Sequence, residues 1–368
     1  MKIERGEISS SQLMFLITGF ILGSTLIVTF VFGVAKRDTW LAVLAGWVIS
    51  LPFALVWIAV ARRFPGKNLV QINDLVYGSY LGKPLSAFYV LFFLITTSQN
   101  LRFIGDFILT YIMPETPLEL ILIMFTFVCA WAVRAGIEVI ARCSGIFVVI
   151  TLVIVAFTFV LLMKDMEFAN FLPVLETPLK SFIQGTHIIV VIPFSELIIF
   201  LMIIPYLNEI KQATSSVMAG LLLGGATLFI VTVRDIAVLG ITSSIIAQPS
   251  FEAVRLINIA NILTRLEIFV AIVLLVTFFI KVSVFYYAAV LSTAQLFNLR
   301  SYFPLVLPSG IICIALAIIL ADSAMEQAYI SSDVWLFYAT PYELILPCLT
   351  LLIAKLRGLS PKQGGPGR

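Results

Sequence analysis

Long apolar runs, separated by short clusters of charge, proline and glycine, dominate this chain from end to end. A helix needs about 20 mostly apolar residues to cross the hydrocarbon layer. Ten intervals meet that demand: 11–35, 40–61, 84–113, 117–134, 141–163, 182–207, 213–233, 266–294, 303–321 and 335–354. Their breaks fall at Lys36-Arg37-Asp38, at Arg62 to Lys67, at Pro114-Glu115-Thr116-Pro117 and at Lys164-Asp165. Intervals 64–82 and 245–264 are too polar to span and read as short interfacial helices. Membrane-barrel strands alternate with period two over about 10 residues, whereas these runs are continuous. The predicted class is therefore an all-α integral membrane protein with ten transmembrane helices, occupying residues 1–357 as one polytopic domain. Residues 358–368 read as a flexible cytoplasmic tail.

Two of the runs are interrupted near their centres. The first contains Thr18-Gly19-Phe20-Ile21-Leu22-Gly23-Ser24, and the sixth contains Pro193-Phe194-Ser195-Glu196. Ten spans divide into two sets of five, and these are the first member of each set. Gly/Pro-interrupted spans at matching positions in two halves point to a 5+5 inverted repeat whose binding site lies at the breaks. Each interruption also has a plainer reading. Gly19 and Gly23 form GxxxG, a motif of close helix packing, and Pro193 can kink a helix without breaking it. Their matched positions favour broken helices. Pro193 removes one donor and frees a carbonyl about one turn upstream, near Ile189.

Composition agrees with this class. Apolar residues make up 61% of the chain and charged ones 12%, against roughly 25% charged in a soluble domain. The formal net charge of +3 is too small to argue for a nucleic-acid partner. With ten spans both termini share one side, and that side collects the larger share of the lysines and arginines, which predicts cytoplasmic termini. Lys2 and Arg5 precede an apolar run too long for a signal peptide. Cys129, Cys143, Cys313 and Cys348 sit alone in separate runs, and His187 is the single histidine, so neither a disulfide framework nor a metal or other cofactor is expected.

Ionisable residues inside membrane spans mark candidate function. For Glu196 two compatible roles are open: Ser195 caps a second half-helix and Glu196 complements its positive end, or Glu196 faces a cavity and meets a ligand's ammonium or a proton. Lys281, mid-span in TFFIKVSVFYYAA, cannot easily reach water. It either pairs with Glu196 or places its ammonium where related carriers hold sodium. Arg102 has Asp106 at i+4, which suits a local pair. Thr97 and Asn100, on the same run, either line a site or bond a neighbouring helix.

Five stretches together resemble a known family: FPGKNLVQINDLVYGSYLGKPLSAFY, LRFIGDFILTYIMPETP, PFSELIIFLMIIPYL, NILTRLEIFV and FIKVSVFYYAA. Each is modest alone, but the ordered set runs from about residue 9 to 357. The chain resembles the B subunit of the spore germinant receptors of endospore-forming bacteria, a branch of the amino acid–polyamine–organocation transporter superfamily. The resemblance implies a fold similar to the bacterial leucine transporter, with helices 1 and 6 unwound. It implies residence in the inner membrane of the spore and a complex with an A and a C subunit. The B subunit is the one held to sense nutrient. By position, Gly19, Gly23, Ser24, Thr97, Asn100, Pro193, Phe194, Ser195, Glu196 and Lys281 would frame a small nutrient, an L-amino acid foremost, with sugars or nucleosides as alternatives.

A non-enzymatic ligand receptor is the leading expectation, and a proton-coupled amino-acid permease is the alternative. Rhomboid-type proteolysis would need a serine with a histidine in a neighbouring span, and aspartyl-type proteolysis two intramembrane aspartates. His187 has no such serine partner in the sequence pattern, and Asp106 is the sole aspartate that approaches the second description.

Overall fold

The computed structural model describes residues 6–257 and 266–359. The expected tail at 358–368 therefore falls almost wholly outside the described residues, as do residues 258–264 of the predicted interfacial segment 245–264 and the first half of NILTRLEIFV. Among the described residues the chain is helical, and its one β-feature is an isolated parallel bridge between Ile8 and Leu207.

The elements follow the apolar runs. Helices α1 (Ser10–Leu22) and α2 (Thr25–Ala35) occupy the first run, α3 (Thr39–Arg63) the second, and α4 (Leu69–Tyr111) the third. Helices α5 (Leu118–Ala135) and α6 (Ile137–Leu162) follow, then α7 (Leu179–Ile189), which continues in other windings to Tyr206. Helices α8 (Ala213–Leu239), the short α9 (Pro249–Arg255), α10 (Glu267–Leu296) and α11 (Phe303–Ile319) come next. The last run holds α12 (Ala324–Tyr329), α13 (Trp335–Thr340) and α14 (Leu346–Leu356), joined by two π-wound segments, Ile330–Val334 and Pro341–Ile345. Among the described residues, eight helical stretches are long and apolar enough to cross a membrane by length and composition, and Ser10–Leu22 and Phe303–Ile319 are shorter apolar helices.

Residues 69–82 of the polar interval belong to α4, ahead of and just past a kink at Gly78. Asn68 and Gln71 form a reciprocal capping box that starts α4. Gly78, at φ 75° and ψ 167°, then turns the chain sharply. A Cβ there would be strained, and the turn lays residue 82 so near residue 73 that a Cβ on Gly82 would stand 2.7 Å from the Asn73 carbonyl oxygen. A hydrogen bond from Asn73 Nδ2 to Ser86 Oγ, 3.2 Å, holds the two pieces together.

Burial separates core helices from peripheral ones. In the most apolar window of Leu179–Met202, 94% of residues are buried, against 22% for the helix beginning at Ile137. Trp131, Phe127, Val153 and Ile146 lie exposed on α5 and α6, the expected composition of a surface facing lipid. One apolar cluster extends from Ile8 to Ala354, with α1, α10 and the sixth run at its centre.

Candidate functional site

The first interruption is a true break. Helix α1 ends at Leu22 and α2 starts at Thr25, with Gly23 and Ser24 between them. The Gly23 and Ser24 N–H groups are not free: they donate to the carbonyls of Gly19 and Ile21. In the first turn of α2 the Ile27 N–H donates to the Ser24 carbonyl, so the donors characteristic of a helix start are those of Thr25 and Leu26. Both glycines are also packing positions. A Cβ on Gly19 would meet Ile280 Cδ1 at 2.6 Å, and one on Gly23 would meet Lys281 Cβ and the Thr277 carbonyl oxygen at 2.8 Å. The packing and unwinding readings of GxxxG therefore hold together: α1 presses on α10 where it stops.

The sixth run differs from expectation. It is not cut into two half-helices at Pro193. Residues Val190–Phe194 are π-wound and Ser195–Met202 form a 3-10 helix. Pro193 lacks a donor for the regular ladder, and the Ser195 N–H reaches back to the Val190 and Val191 carbonyls. Single π turns inside helices are often placed at functional sites. Ser195 does not cap a new helix: its buried hydroxyl makes no hydrogen bond within the described protein. Phe194 is fully buried beside it.

The two irregular stretches meet at Lys281. Its ammonium lies 2.6 Å from a Glu196 carboxylate oxygen and donates to Ser24 Oγ. All three side chains are sealed from solvent, with Lys281 and Ser24 at 0% and Glu196 at 1% exposure. The Phe20 ring covers the ammonium at 5.4 Å from its centroid, within cation–π range, and packs on Phe200 and Phe285. Of the two positions open to Lys281, the structure shows the pair with Glu196. A buried pair of this kind is costly to assemble and more costly to break.

Thr97 and Asn100 are buried on α4. Their hydrogen bonds stay on their own helix, from Thr97 Oγ1 to Phe93 O at 2.6 Å and from Asn100 Nδ2 to Thr96 O at 2.8 Å. Nothing in this bonding joins them to Lys281 or Glu196. Arg102 pairs with Asp106 at 2.9 Å and also donates to the Ala317 and Ala321 carbonyls at the end of α11.

Two residues near the pair escaped the sequence reading. Phe20 looked like one apolar residue among many. Glu343 lies in the π-wound segment Pro341–Ile345, fully buried, and within electrostatic reach of both Glu196 and Lys281. Its signal was available: a glutamate mid-run between Pro341 and Pro347 repeats the pattern of Pro193 and Glu196.

One turn beyond Ser24, Leu26 and Thr29 reach the wall of a cavity of 720 Å³ between α2, α4, α12 and residues 244–248. Phe30, Phe103, Phe107, Tyr111 and Tyr329 line it, with Asp106 as its charged group.

This architecture has known counterparts. The fold is that of leucine-transporter-type carriers: Mhp1, a nucleobase-cation-symport-1 family transporter in a closed conformation with bromovinylhydantoin bound, superposes with a TM-score of 0.68 over 94% of this chain and 78% of that one at 15% identity. A Na+-coupled sialic acid symporter in a substrate-bound outward-open state gives a TM-score of 0.64 over 96% and 90% at 10% identity. By sequence, a family model described as spore germination protein matches residues 7–325. Spore germination protein KB of Bacillus subtilis (strain 168) is 28% identical over 357 residues, covering 96% of this chain and 95% of that one.

Proposed function

Since the chain belongs to the spore germination protein family, we propose that it is the nutrient-sensing membrane subunit of a spore germinant receptor. In this reading it resides in the spore's inner membrane with both termini cytoplasmic, works with the receptor's A and C subunits, and binds a small zwitterion, an L-amino acid foremost. The observation that carries the reading is the Ser24–Lys281–Glu196 link. A charge pair buried in an apolar core joins the break after α1 to the wound-up centre of the sixth run. Residues 1–357 act as one unit, and 358–368 as a tail.

The chemistry of a zwitterion fits such a pair. Its ammonium competes with Lys281 for Glu196. Its carboxylate takes up the released Lys281 and the N–H donors of the first turn of α2, where a helix start favours an anion. One buried charge pair becomes two, so no charge is stranded. The aromatic cavity beside α2 serves as the path of entry, and Phe20 and Phe194 cover the apolar part of the ligand. Thr97 and Asn100 act as wall residues of α4. Binding shifts the bundle between two states through a difference in affinity for them, and the partner subunits read that shift.

The test is Glu196→Gln in the assembled receptor. Loss of the nutrient-triggered germination response, with normal assembly, supports the reading. An unchanged dose response removes Glu196 from the ligand site.

The fold shared with two symporters also favours a proton-coupled amino-acid permease. Uptake of labelled L-alanine into vesicles separates the two. Saturable binding without accumulation supports the receptor, and sustained accumulation supports the permease.

A further inference from the structure

Glu343 is the buried ionisable group that the nutrient reading leaves unused. It is at 0% exposure, and neither of its carboxylate oxygens has a hydrogen-bond partner among the described residues. Its own segment packs on Ser195–Met202, and α14 beyond it packs on α3 and α4. The charged groups within electrostatic reach are Glu196 from the sixth run and Lys281 from α10. Phenols and an indole lie along the same segment: Tyr89 on α4 donates to the Tyr342 carbonyl at 2.7 Å, and Trp57 on α3 donates to the carbonyl of Glu343 itself at 3.1 Å. Tyr338, one turn before on α13, packs against Tyr342 with the two rings tilted.

The charge count of this group decides its chemistry. Glu196, Glu343 and Lys281 carry one excess negative charge if all three ionise. Lys281 is already committed to Glu196 at 2.6 Å and to Ser24. An ionised Glu343 would then be a buried carboxylate with no hydrogen bond and a second carboxylate nearby. Such a group takes up a cation or a proton instead of staying charged. A metal cation calls for several oxygen ligands, and among the described residues no three acidic, histidine or cysteine side chains come together. A proton needs only the carboxyl itself.

We propose that Glu343 is a proton-binding site, holding one proton that neutralises its own carboxylate beside the already neutral Glu196–Lys281 pair. Sealing the core around Glu343 takes up that proton from water, and opening the core to water releases it. Nutrient-driven switching is then accompanied by movement of one proton through this residue. The protonation itself does not depend on the nutrient reading.

Infrared spectra of the purified full-length chain at neutral pH test this directly. The expected result is the carbonyl stretch of a protonated carboxyl group, lost in Glu343→Gln and retained in Lys281→Met, which leaves no cation to draw the proton off. Absence of the band, or its survival in Glu343→Gln, overturns the proposal. So does its removal when choline chloride is replaced by sodium or potassium chloride, which would make the occupant a metal cation. Thermal unfolding gives a second readout. Glutamine copies the shape and neutrality of a protonated glutamate, so Glu343→Gln should unfold at the wild-type temperature, while Lys281→Met, which strands Glu196, unfolds earlier. Equal losses in the two variants would show that Glu343 is ionised and overturn the proposal.

Discussion

Lys281 on α10 joins Glu196 at 2.6 Å and the Ser24 hydroxyl, so one side chain fastens both irregular stretches of the core to each other. Removing one charge of a buried pair leaves the other uncompensated, which typically costs about 3–5 kcal/mol. Lys281→Met should destabilise the chain by an amount in that range and so lower its thermal unfolding temperature, and Glu196→Gln should cost less, because Glu343 can then ionise beside Lys281. The double variant should recover most of the loss, because no charge is then stranded. Additive losses in unfolding of the purified chain would show that the pair is not coupled.

Gly23 stands where α1 ends against α10. A Cβ there would lie 2.8 Å from both Lys281 Cβ and the Thr277 carbonyl oxygen, and backbone cannot swing aside as a side-chain tip can. Overpacking of this kind costs about 1–3 kcal/mol, so Gly23→Ala should destabilise the chain and displace the Lys281 ammonium from Ser24. Gly33, in the same run, has nothing closer than the Ser244 carbonyl oxygen at 4.0 Å, and Gly33→Ala should leave the unfolding temperature unchanged. Equal behaviour of the two variants would sink this assignment.

Most of this architecture can be read from hydrophobic periodicity, because each apolar run needed for crossing a bilayer must also satisfy its own backbone as helix. The all-α class, the break at Gly23-Ser24 and the Arg102–Asp106 pair follow from local signals, whereas the sequence leaves Lys281 two positions, of which the pair with Glu196 is one. The third run begins later in the hydropathy pattern than its helix does, since Gly78 folds a polar piece back on an apolar one and hydropathy does not see the turn. The winding of the sixth run was also hidden. A proline announces a lost donor, but whether the chain breaks or rewinds as π and 3-10 turns depends on the neighbours that hold it, and this run is the most enclosed of the spans. Glu343 was passed over because the last run was read only for its length, although Pro341 and Pro347 bracket it.

Asp38 ties the turn after α2 to the loop that leads into the sixth run. It is buried at 1% exposure, and its two carboxylate oxygens accept from the Leu175 and Thr177 N–H groups at 2.7 and 2.9 Å. Hydrogen bonds to a charged group contribute about 1.5–3 kcal/mol each. Asp38→Ala should therefore cost at least that much and release residues 172–178 to added protease. Protease resistance equal to wild type would mean that the loop is held by other contacts.

Pro193 separates the demands of stability from those of switching. It removes a ladder donor at the centre of a buried run and coincides with the change from π to 3-10 winding. Pro193→Ala restores the N–H and allows a regular helix, so the unfolding temperature should stay level or rise. A regular helix would also turn Glu196 away from its present direction toward Lys281, because each residue gained or lost per turn rotates every side chain beyond it. The nutrient-triggered response in the assembled receptor should then weaken even though the protein is no less stable. A destabilised Pro193→Ala chain, or one with an unimpaired response, would mean that the winding of the sixth run is set by its packing partners and not by the proline.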